Sequence, residues 1–442
     1  MKLINICLSG LLLSATACKK ISVDRVFDHT ADERLTSILK ADSSLLVGSA
    51  NGWKAVLTPG NGKGAYFFYM KFTADGFVEM VTDFKSSTAT QSGKGTWRLK
   101  ALQRPSLIFD TYTYIHQLSD PDPGVSGGAT GVGLTTDFEF SVMETSADSI
   151  ELWGNRFGST MVLTKATKEE ETAFLGGGLN ALINSSVAFV NANPYLYVQF
   201  PDGVKLPFGL NPPGKMLTMQ YVKDNKITTL SSTFYYTSNS LHLVTPLTYK
   251  TYTFSDIFWD AANSIFYVKT GNDRLDVQNS PVVLTLPITP GLETQLGGKY
   301  TDIYFASSAN QSAIFKSMWE DCRVKLAAVG GAGRVFDWLD ILFPSATQMQ
   351  MRYRYHNAAN TSWYYGTYTY SMNLNANGEA KFVFVTQDAN GGVVAAGFKP
   401  LNDYMTANTF KFEYVANTSS SVAMGGLFNV NNPAGFFFGE LK

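Results

Sequence analysis

The chain has 442 residues, of which 45% are hydrophobic and 16% are charged, with 35 basic against 36 acidic side chains. This composition excludes an intrinsically disordered protein, and the balanced charge argues against a nucleic-acid binder, which normally gathers a basic excess on one face. Aromatic residues make up 14% of the chain, a richness typical of all-β proteins, and the length predicts more than one domain.

The N-terminal stretch up to Cys18 has the features of an export signal. Lys2 precedes an apolar run over residues 3–13 that is too short to span a bilayer, and small residues come before Cys18. The tetrapeptide that ends at Cys18 resembles a bacterial lipobox, except that Ala15 stands where that motif usually has Leu. We therefore predict a signal peptide over residues 1–17 and lipidation of Cys18. Plain secretion through cleavage at the same bond is the alternative.

Lipidation would anchor the protein in the cell envelope, at the outer membrane. The residues that follow Cys18 contain no clear acidic run, so the cell surface and the periplasmic face both stay open. Cys7 would leave with the signal peptide and Cys322 would remain alone, which predicts a fold without disulfides.

Residues 18–50 are interpreted as a tether followed by a helix. The helix is predicted to begin at a capping box in which Thr30 and Glu33 satisfy each other's backbone amides. Leu35, Leu39 and Leu46 then recur at helical spacing, and Gly48 can end the helix.

Residues 51–168 predict a small β-barrel of the lipocalin type. Apolar residues alternate with polar ones, as Phe138 and Phe140 do with Asp137 and Glu139, which is typical of strands with one face in a core and one in water. The number of such runs suits a small closed barrel.

A second capping box, between Thr167 and Glu170, predicts a connecting helix over residues 169–188, weakened by a Gly triplet. Strand patterns resume over residues 189–442, which we interpret as a second β-rich domain of barrel-like units with a few helices. A division into two units near residue 290 is left open. The predicted fold class is mainly β.

Residues 115–140 are rich in Asp, Pro, Gly, Ser and Thr and predict a long loop, of the kind that is usually functional or disordered. We take it as a candidate lid over a ligand at a barrel mouth, with Tyr112, Tyr114, Asp120 and Asp122 as candidate binding residues. The alternative is a solvated turn. A calcium site is not expected, because the further oxygen ligands at fixed spacing are missing.

Residues 361–370 place five aromatic side chains within ten positions. Trp363, Tyr365 and Tyr368 are candidates for a platform on which sugar rings stack, since their flat apolar faces carry polar tips. The alternative is a strand whose aromatic side chains serve the core and cross-strand pairs.

Several stretches together resemble a known family. They are NGWK from Asn51, YMKFTADGFVEMVTDF from Tyr69, ALQRPSLIFDTYTYIHQLSDPDPG from Ala101 and GLTTDFEF from Gly133. Together they are similar to uncharacterised Bacteroidetes lipoproteins with the domain of unknown function 4302. The resemblance implies a lipid-anchored envelope protein of lipocalin-like β architecture, encoded near nutrient-uptake systems of the outer membrane. It offers no catalytic residues.

No catalytic motif is recognisable, and the four histidines are scattered without zinc-ligand spacing. We therefore expect a binding protein without cofactor, metal or catalytic residues. Its expected partners are the membrane, through the lipid, a glycan or a peptide, and outer-membrane uptake proteins, with no nucleic acid. The alternatives are a hydrolase whose acids converge only in three dimensions and a structural or adhesive module.

Overall fold

The computed structural model describes residues 29–305, 311–418 and 422–442. Antiparallel strands dominate these ranges, which confirms the predicted mainly β fold class. Three groups of strands follow one another along the chain, and helices lie before, between and within them.

An N-terminal helix, α1, precedes the first group of strands. It spans Ala31–Val47 and begins at the predicted capping box, in which the Thr30 hydroxyl accepts from the Glu33 amide and the Glu33 carboxylate accepts from the Thr30 amide. The indole N–H of the buried Trp53 donates to the Leu46 carbonyl over 2.8 Å. This bond joins the end of the helix to the first strand.

The first group of strands forms a closed antiparallel barrel. Each strand pairs with the next, and the first pairs with the last, so that Trp53 lies opposite Lys165. Buried and less buried side chains alternate along its first and seventh strands, as the period of two predicts. The strands are β1 Trp53–Thr58, β2 Tyr66–Phe72, β3 Phe77–Thr82, β4 Gly93–Ala101, β5 Pro105–Phe109, β6 Glu139–Thr145, β7 Ser149–Gly154 and β8 Thr160–Lys165.

The strand predicted around Asp137 begins later than its alternation indicates. β6 starts at Glu139, and Asp137 is buried rather than in water. The Asp137 carboxylate accepts hydrogen bonds from the amides of Arg156, Phe157 and Ser159 and from the Ser159 hydroxyl. The prediction of a solvated acid was wrong because backbone amides about twenty residues away satisfy this carboxylate.

Three short helices lie in the connections of the first barrel: α2 Ser86–Thr90, α3 Tyr114–Ser119 and α4 Pro123–Ser126. Ile115 and Leu118 of α3 are buried in the barrel core. Residues 115–140 are therefore not the structureless loop that their composition predicted, because this apolar pair at helical spacing anchors the segment.

Two helices, α5 Lys168–Leu175 and α6 Gly178–Ala192, link the first barrel to the second group of strands. The predicted capping box at Thr167 begins α5. The helical conformation is interrupted at Gly177, where φ is +82°. The helical segment also ends later than predicted. Within the described ranges no single helix has the length and apolar composition to cross a membrane. The α5–α6 pair, bent by 64° at its break, meets that test only when its two parts are combined.

The second group of strands also closes into a barrel, in which β9 lies between β10 and β16. Together with the third group it confirms the prediction of further barrel-like units. The strands are β9 Leu196–Gln199, β10 Lys205–Asn211, β11 Met216–Lys223, β12 Lys226–Tyr236, β13 Ser240–Tyr249, β14 Tyr252–Asp260, β15 Ile265–Thr270 and β16 Asp273–Asn279.

The third group is a nine-stranded sheet in the order β17-β23-β22-β21-β20-β19-β18-β25-β24. An additional pairing of β23 with β24 closes the eight strands from β18 through β25 into a ring. β17 pairs with β23 outside this ring. The strands are β17 Thr285–Leu286, β18 Asp302–Phe305, β19 Val335–Ser345, β20 Gln348–His356, β21 Trp363–Leu374, β22 Glu379–Gln387, β23 Thr409–Val415, β24 Met424–Asn429 and β25 Phe436–Leu441.

Helices cover one face of this third sheet. They are α7 Ala313–Ala328, α8 Ala389–Val393 and α9 Ala395–Ala407. Cys322 of α7 and Phe398 of α9 are fully buried against core-facing residues of the strands, such as Tyr353. The domain boundaries predicted from the sequence stay a prediction, because strand pairing does not show which parts fold alone.

Candidate functional site

One face of the third sheet carries exposed aromatic rings between arginines. Side chains on alternate positions of a strand share a face. The strand register places Arg354 of β20 between Trp338 of β19 and Tyr365 of β21, and it places His356 beside Trp363. We call this surface the aromatic–arginine face, and its members are Tyr304, Trp338, Arg352, Arg354, Trp363 and Tyr365.

The rings form a continuous row across three strands. The ring centroids of Tyr304 and Trp338 lie 5.5 Å apart, and those of Trp338 and Tyr365 lie 5.8 Å apart. The Arg352 guanidinium lies 5.8 Å from the Trp338 centroid and 5.7 Å from that of Tyr365. These distances fall within the range of cation–π attraction, so the guanidinium holds the two rings in place.

A second arginine supports the edge of the row. The Arg354 guanidinium lies 5.9 Å from the Trp363 centroid. The Asp337 carboxylate accepts from His356 over 2.7 Å and lies 3.7 Å from Arg354. Trp363 is nevertheless 50% exposed, so its ring remains available to a ligand.

The charges below the rings are only partly satisfied. Arg352 pairs with Asp340, whose side chain is almost fully buried. Burial raises the pKa of the Asp340 carboxyl, and the Arg352 guanidinium opposes that rise. Within the described ranges, Oδ1 of Asp340, Oδ2 of Asp337 and Nε of both Arg352 and Arg354 have no hydrogen-bond partner. Such buried atoms cost about 1–3 kcal/mol each, so the charged layer below the rings is held at an energetic cost.

Two of the predicted platform residues lie on this face. Trp363 is 50% exposed and Tyr365 is 44% exposed, which leaves about half of each ring free. The inclusion of Tyr368 was wrong, because its position has the opposite parity along β21. Tyr368 is buried in the core, and its hydroxyl donates to the Gly391 carbonyl over 2.6 Å.

The predicted loop residues have partners within the loop itself. The Tyr112 hydroxyl donates to the Asp120 carboxylate, which also accepts from the Asp122 amide. Burial and this hydrogen bond raise the pKa of Tyr112 to about 12, and the same bond lowers the pKa of Asp120. Asp122 caps α4 by accepting from the Gly124 amide over 2.8 Å. These contacts explain the polar residues by local structure, and a ligand role for them stays a prediction.

Tyr114 is also engaged within the first barrel. Its hydroxyl donates to the Gln91 carbonyl over 3.0 Å, and its ring lies where a side chain at Gly93 would have to be. The candidate residues therefore divide between two strand groups, with Tyr114 and its neighbours in the first barrel and Trp363 and Tyr365 in the third sheet.

Sequence reasoning missed four members of the face. Arg352 and Arg354 were visible as the polar half of the alternating stretch MQMRYRYH, but nothing in it indicated an aromatic neighbour. Tyr304 and Trp338 reach the row only through strand register, which a local pattern does not contain.

The predicted lipidation site, Cys18, lies outside the described residues. Across residues 29–305, 311–418 and 422–442, no group of three or more His, Cys, Asp or Glu side chains is placed to hold a metal ion. Cys322 is buried as a free thiol, and burial raises its pKa to about 12, so it is not a reactive cysteine.

Fold and site together define a β protein of successive barrels with an aromatic surface on its last sheet. The chain belongs to the family described as a domain of unknown function, DUF4302, whose model matches residues 23–261. This span includes the whole first barrel and much of the second, while the aromatic–arginine face lies beyond it. No curated protein matches the chain.

Two solved structures have a remote similarity to the chain. A protein of unknown function from the DUF3598 family of Nostoc punctiforme is 9% identical, over 74% of this chain and 97% of that chain, with a TM-score of 0.14. A mutant of the vaccine antigen transferrin binding protein B from Haemophilus parasuis is 10% identical, over 77% of this chain and 72% of that chain, with a TM-score of 0.12. Scores of this size do not establish a shared fold.

Proposed function

We propose that this protein is a lipid-anchored envelope protein that binds a glycan on the aromatic–arginine face and serves an outer-membrane nutrient-uptake system as a non-enzymatic accessory. The observation that carries the proposal is the row of half-exposed rings at Trp363 and Tyr365, held by guanidinium groups from the neighbouring strand. The export signal and Cys18 support the envelope location.

The chemistry of the face suits a sugar. A pyranose ring has apolar C–H faces that stack on aromatic rings, and a rim of hydroxyls that both donate and accept hydrogen bonds. The face offers both components, since Trp363 and Tyr365 supply the rings and Asp337, Arg352 and Arg354 supply acceptors and donors. Because the carboxylates balance most of the arginine charge, a neutral glycan fits better than a strongly charged ligand.

The test is a glycan and peptide array probed with the full chain. We expect binding to glycans, and the Trp363→Ala/Tyr365→Ala variant should lose at least about tenfold in affinity, because it removes both rings on which a sugar would stack. Trp153→Ala is the matched control, because Trp153 is also 50% exposed but lies in the first barrel. Equal binding by both variants, or binding of peptides alone, would reject the glycan proposal.

Two further experiments address the remaining parts of the proposal. Mass spectrometry of the bound glycan after prolonged incubation should find it uncleaved, whereas cleaved products would favour a hydrolase. The Cys18→Ser variant should leave the membrane fraction, and membrane retention of that variant would reject the lipid anchor. Labelling of intact cells decides between the surface and the periplasmic face.

A further inference from the structure

A cleft of about 380 Å³ lies where the first barrel meets the second. Its walls include Phe84 from the first barrel, Phe234 from the second, and Leu134 from the segment that precedes β6. Gly127, just after α4, lies at the border of the cleft, and a side chain there would meet no atom within 4 Å. The segment predicted as a lid therefore contributes one wall of a space between two barrels.

The lining of this cleft is mostly apolar and includes two lysines. Lys63 lies exposed at its rim, and Lys215 lines it from the turn before β11. Among the described residues that line the cleft there is no carboxylate. The buried Asp83 carboxylate balances the charge of Lys215 from behind the lining, so the unbalanced positive charge comes from Lys63, and it favours an anion over a cation or a neutral molecule.

Lys215 has hydrogen-bonding capacity that the protein does not use. Its ammonium lies 2.8 Å from Oδ2 of Asp83 as an ion pair, and 4.5 Å from the centroid of the Tyr66 ring. Burial lowers the pKa of this ammonium, and the Asp83 carboxylate that accepts from it opposes that shift. An ammonium has three donors, so a single ion-pair contact leaves most of them unfilled.

Tyr66 supplies a second donor. Its ring packs edge-on against Phe84 with a centroid distance of 5.9 Å, and within the described ranges its hydroxyl has no hydrogen-bond partner. Burial, with the nearby Asp83 carboxylate, raises the pKa of Tyr66 to about 12. The phenol is therefore protonated at neutral pH and can donate to an acceptor in the cleft.

We infer that the cleft between the two barrels binds a small amphipathic carboxylate, an apolar group of moderate size that ends in one anionic head. The apolar part contacts Phe84, Leu134 and Phe234, and the carboxylate accepts from the Tyr66 hydroxyl in the field of the cleft lysines. This site is separate from the aromatic–arginine face, and it does not depend on glycan binding there.

The test is calorimetry on the full chain with octanoate and 3-phenylpropanoate, each below its micelle concentration. The neutral octan-1-ol and the cationic octylamine have similar apolar parts and serve as matched probes. We expect both carboxylates to bind about tenfold or more tighter than the alcohol, and the amine to bind least. Equal affinity for the carboxylates, the alcohol and the amine overturns the inference.

Two variants assign the binding to the cleft. Tyr66→Phe keeps the ring and removes only an unpartnered hydroxyl, so it should fold normally and weaken octanoate binding about tenfold, the effect of one lost hydrogen bond. Thr233→Phe, on a strand that lines the cleft, should abolish binding by filling the space. Tyr364→Phe, in the third sheet, is the control. Unchanged octanoate binding in both cleft variants overturns the site.

Discussion

Nζ of Lys215 lies 2.8 Å from Oδ2 of Asp83, and this ion pair joins the second barrel to the first. The same carboxylate accepts from the Phe67 amide in the first barrel and from the Tyr236 amide in the second, each over 2.9 Å. Because Asp83 is buried and serves both barrels, we regard it as the central polar contact of their junction.

Asp83→Ala should destabilise the protein strongly. The change leaves the Lys215 ammonium and two backbone amides buried without an acceptor, and breaking a buried pair in this way costs about 3–5 kcal/mol. Urea unfolding at neutral pH measures the loss. Asp148→Ala is the control, because Asp148 is 81% exposed in its ion pair with Lys165 and should cost less than about 1 kcal/mol. Equal losses would contradict the role of Asp83.

Glu171→Gln should remove a pH-dependent part of the stability. The Glu171 carboxylate accepts from Lys168 of α5 over 2.7 Å and from Lys71 of β2 over 2.5 Å, and it is 6% exposed. Hydrogen bonds from Lys168 and then Lys71 lower its pKa from 4.5 to about 2. Since the folded-state pKa is the lower one, the stabilisation is complete above about 4.5 and is lost as the pH falls toward about 2.

The wild type should therefore exceed Glu171→Gln by about 1.5–3 kcal/mol in free energy of unfolding at neutral pH. This difference should shrink steadily as the pH falls through that window. Urea unfolding at a series of pH values measures it, with Glu144→Gln as a control on an exposed strand position. A difference that stays constant with pH would mean that the ion pairs do not set the pKa of Glu171.

Asp137→Ala should loosen the turn between β7 and β8. The change removes four hydrogen bonds to the segment from Arg156 to Ser159 and should cost about 2–4 kcal/mol. Amide hydrogen exchange should accelerate at Arg156, Phe157 and Ser159 more than elsewhere in the barrel. Asp137→Asn keeps an accepting oxygen and should recover part of the loss. Uniform acceleration across the barrel would argue against a local role.

Trp53→Phe should weaken the attachment of α1. A smaller aromatic ring remains and leaves some unfilled volume at this buried position, and the Leu46 carbonyl loses the indole donor, which alone should cost about 0.5–1.5 kcal/mol. The effect should be strongest in hydrogen exchange of α1, and Trp153→Phe, at an exposed position, should leave that exchange unchanged. Protection of α1 that is equal in the wild type and in Trp53→Phe would show that the hydrogen bond is dispensable.

Local patterns were sufficient for most elements of this fold. The capping boxes at Thr30 and Thr167 are both present, because a cap is satisfied within four residues. The period of two correctly indicated strands and barrels. It wrongly placed Asp137 on the solvent-facing side. That carboxylate is buried because it accepts from backbone amides about twenty residues away, which a local pattern does not show.

The candidate site was visible from the sequence only in part. The density of aromatic residues drew attention to Trp363 and Tyr365. It could not separate them from the buried Tyr368, because exposed and buried rings look alike in the sequence of a single strand. The ring contacts with Tyr304 and Trp338 depend on the register of β18, β19 and β21. The junction of the two barrels could not be predicted from a local pattern, because Asp83 and Tyr236 are 153 positions apart in the sequence.

The ring of strands in the third sheet sets an order of assembly. β18 must wait for β25 as one of its neighbours, and β25, which consists of Phe436–Leu441, is the seventh strand after β18 in the chain. During synthesis the two earlier barrels can already have closed while β18 still has an unpaired edge. Early termination of translation would leave that edge unpaired. Because unpaired strand edges promote aggregation, a chain that lacks β25 is expected to aggregate.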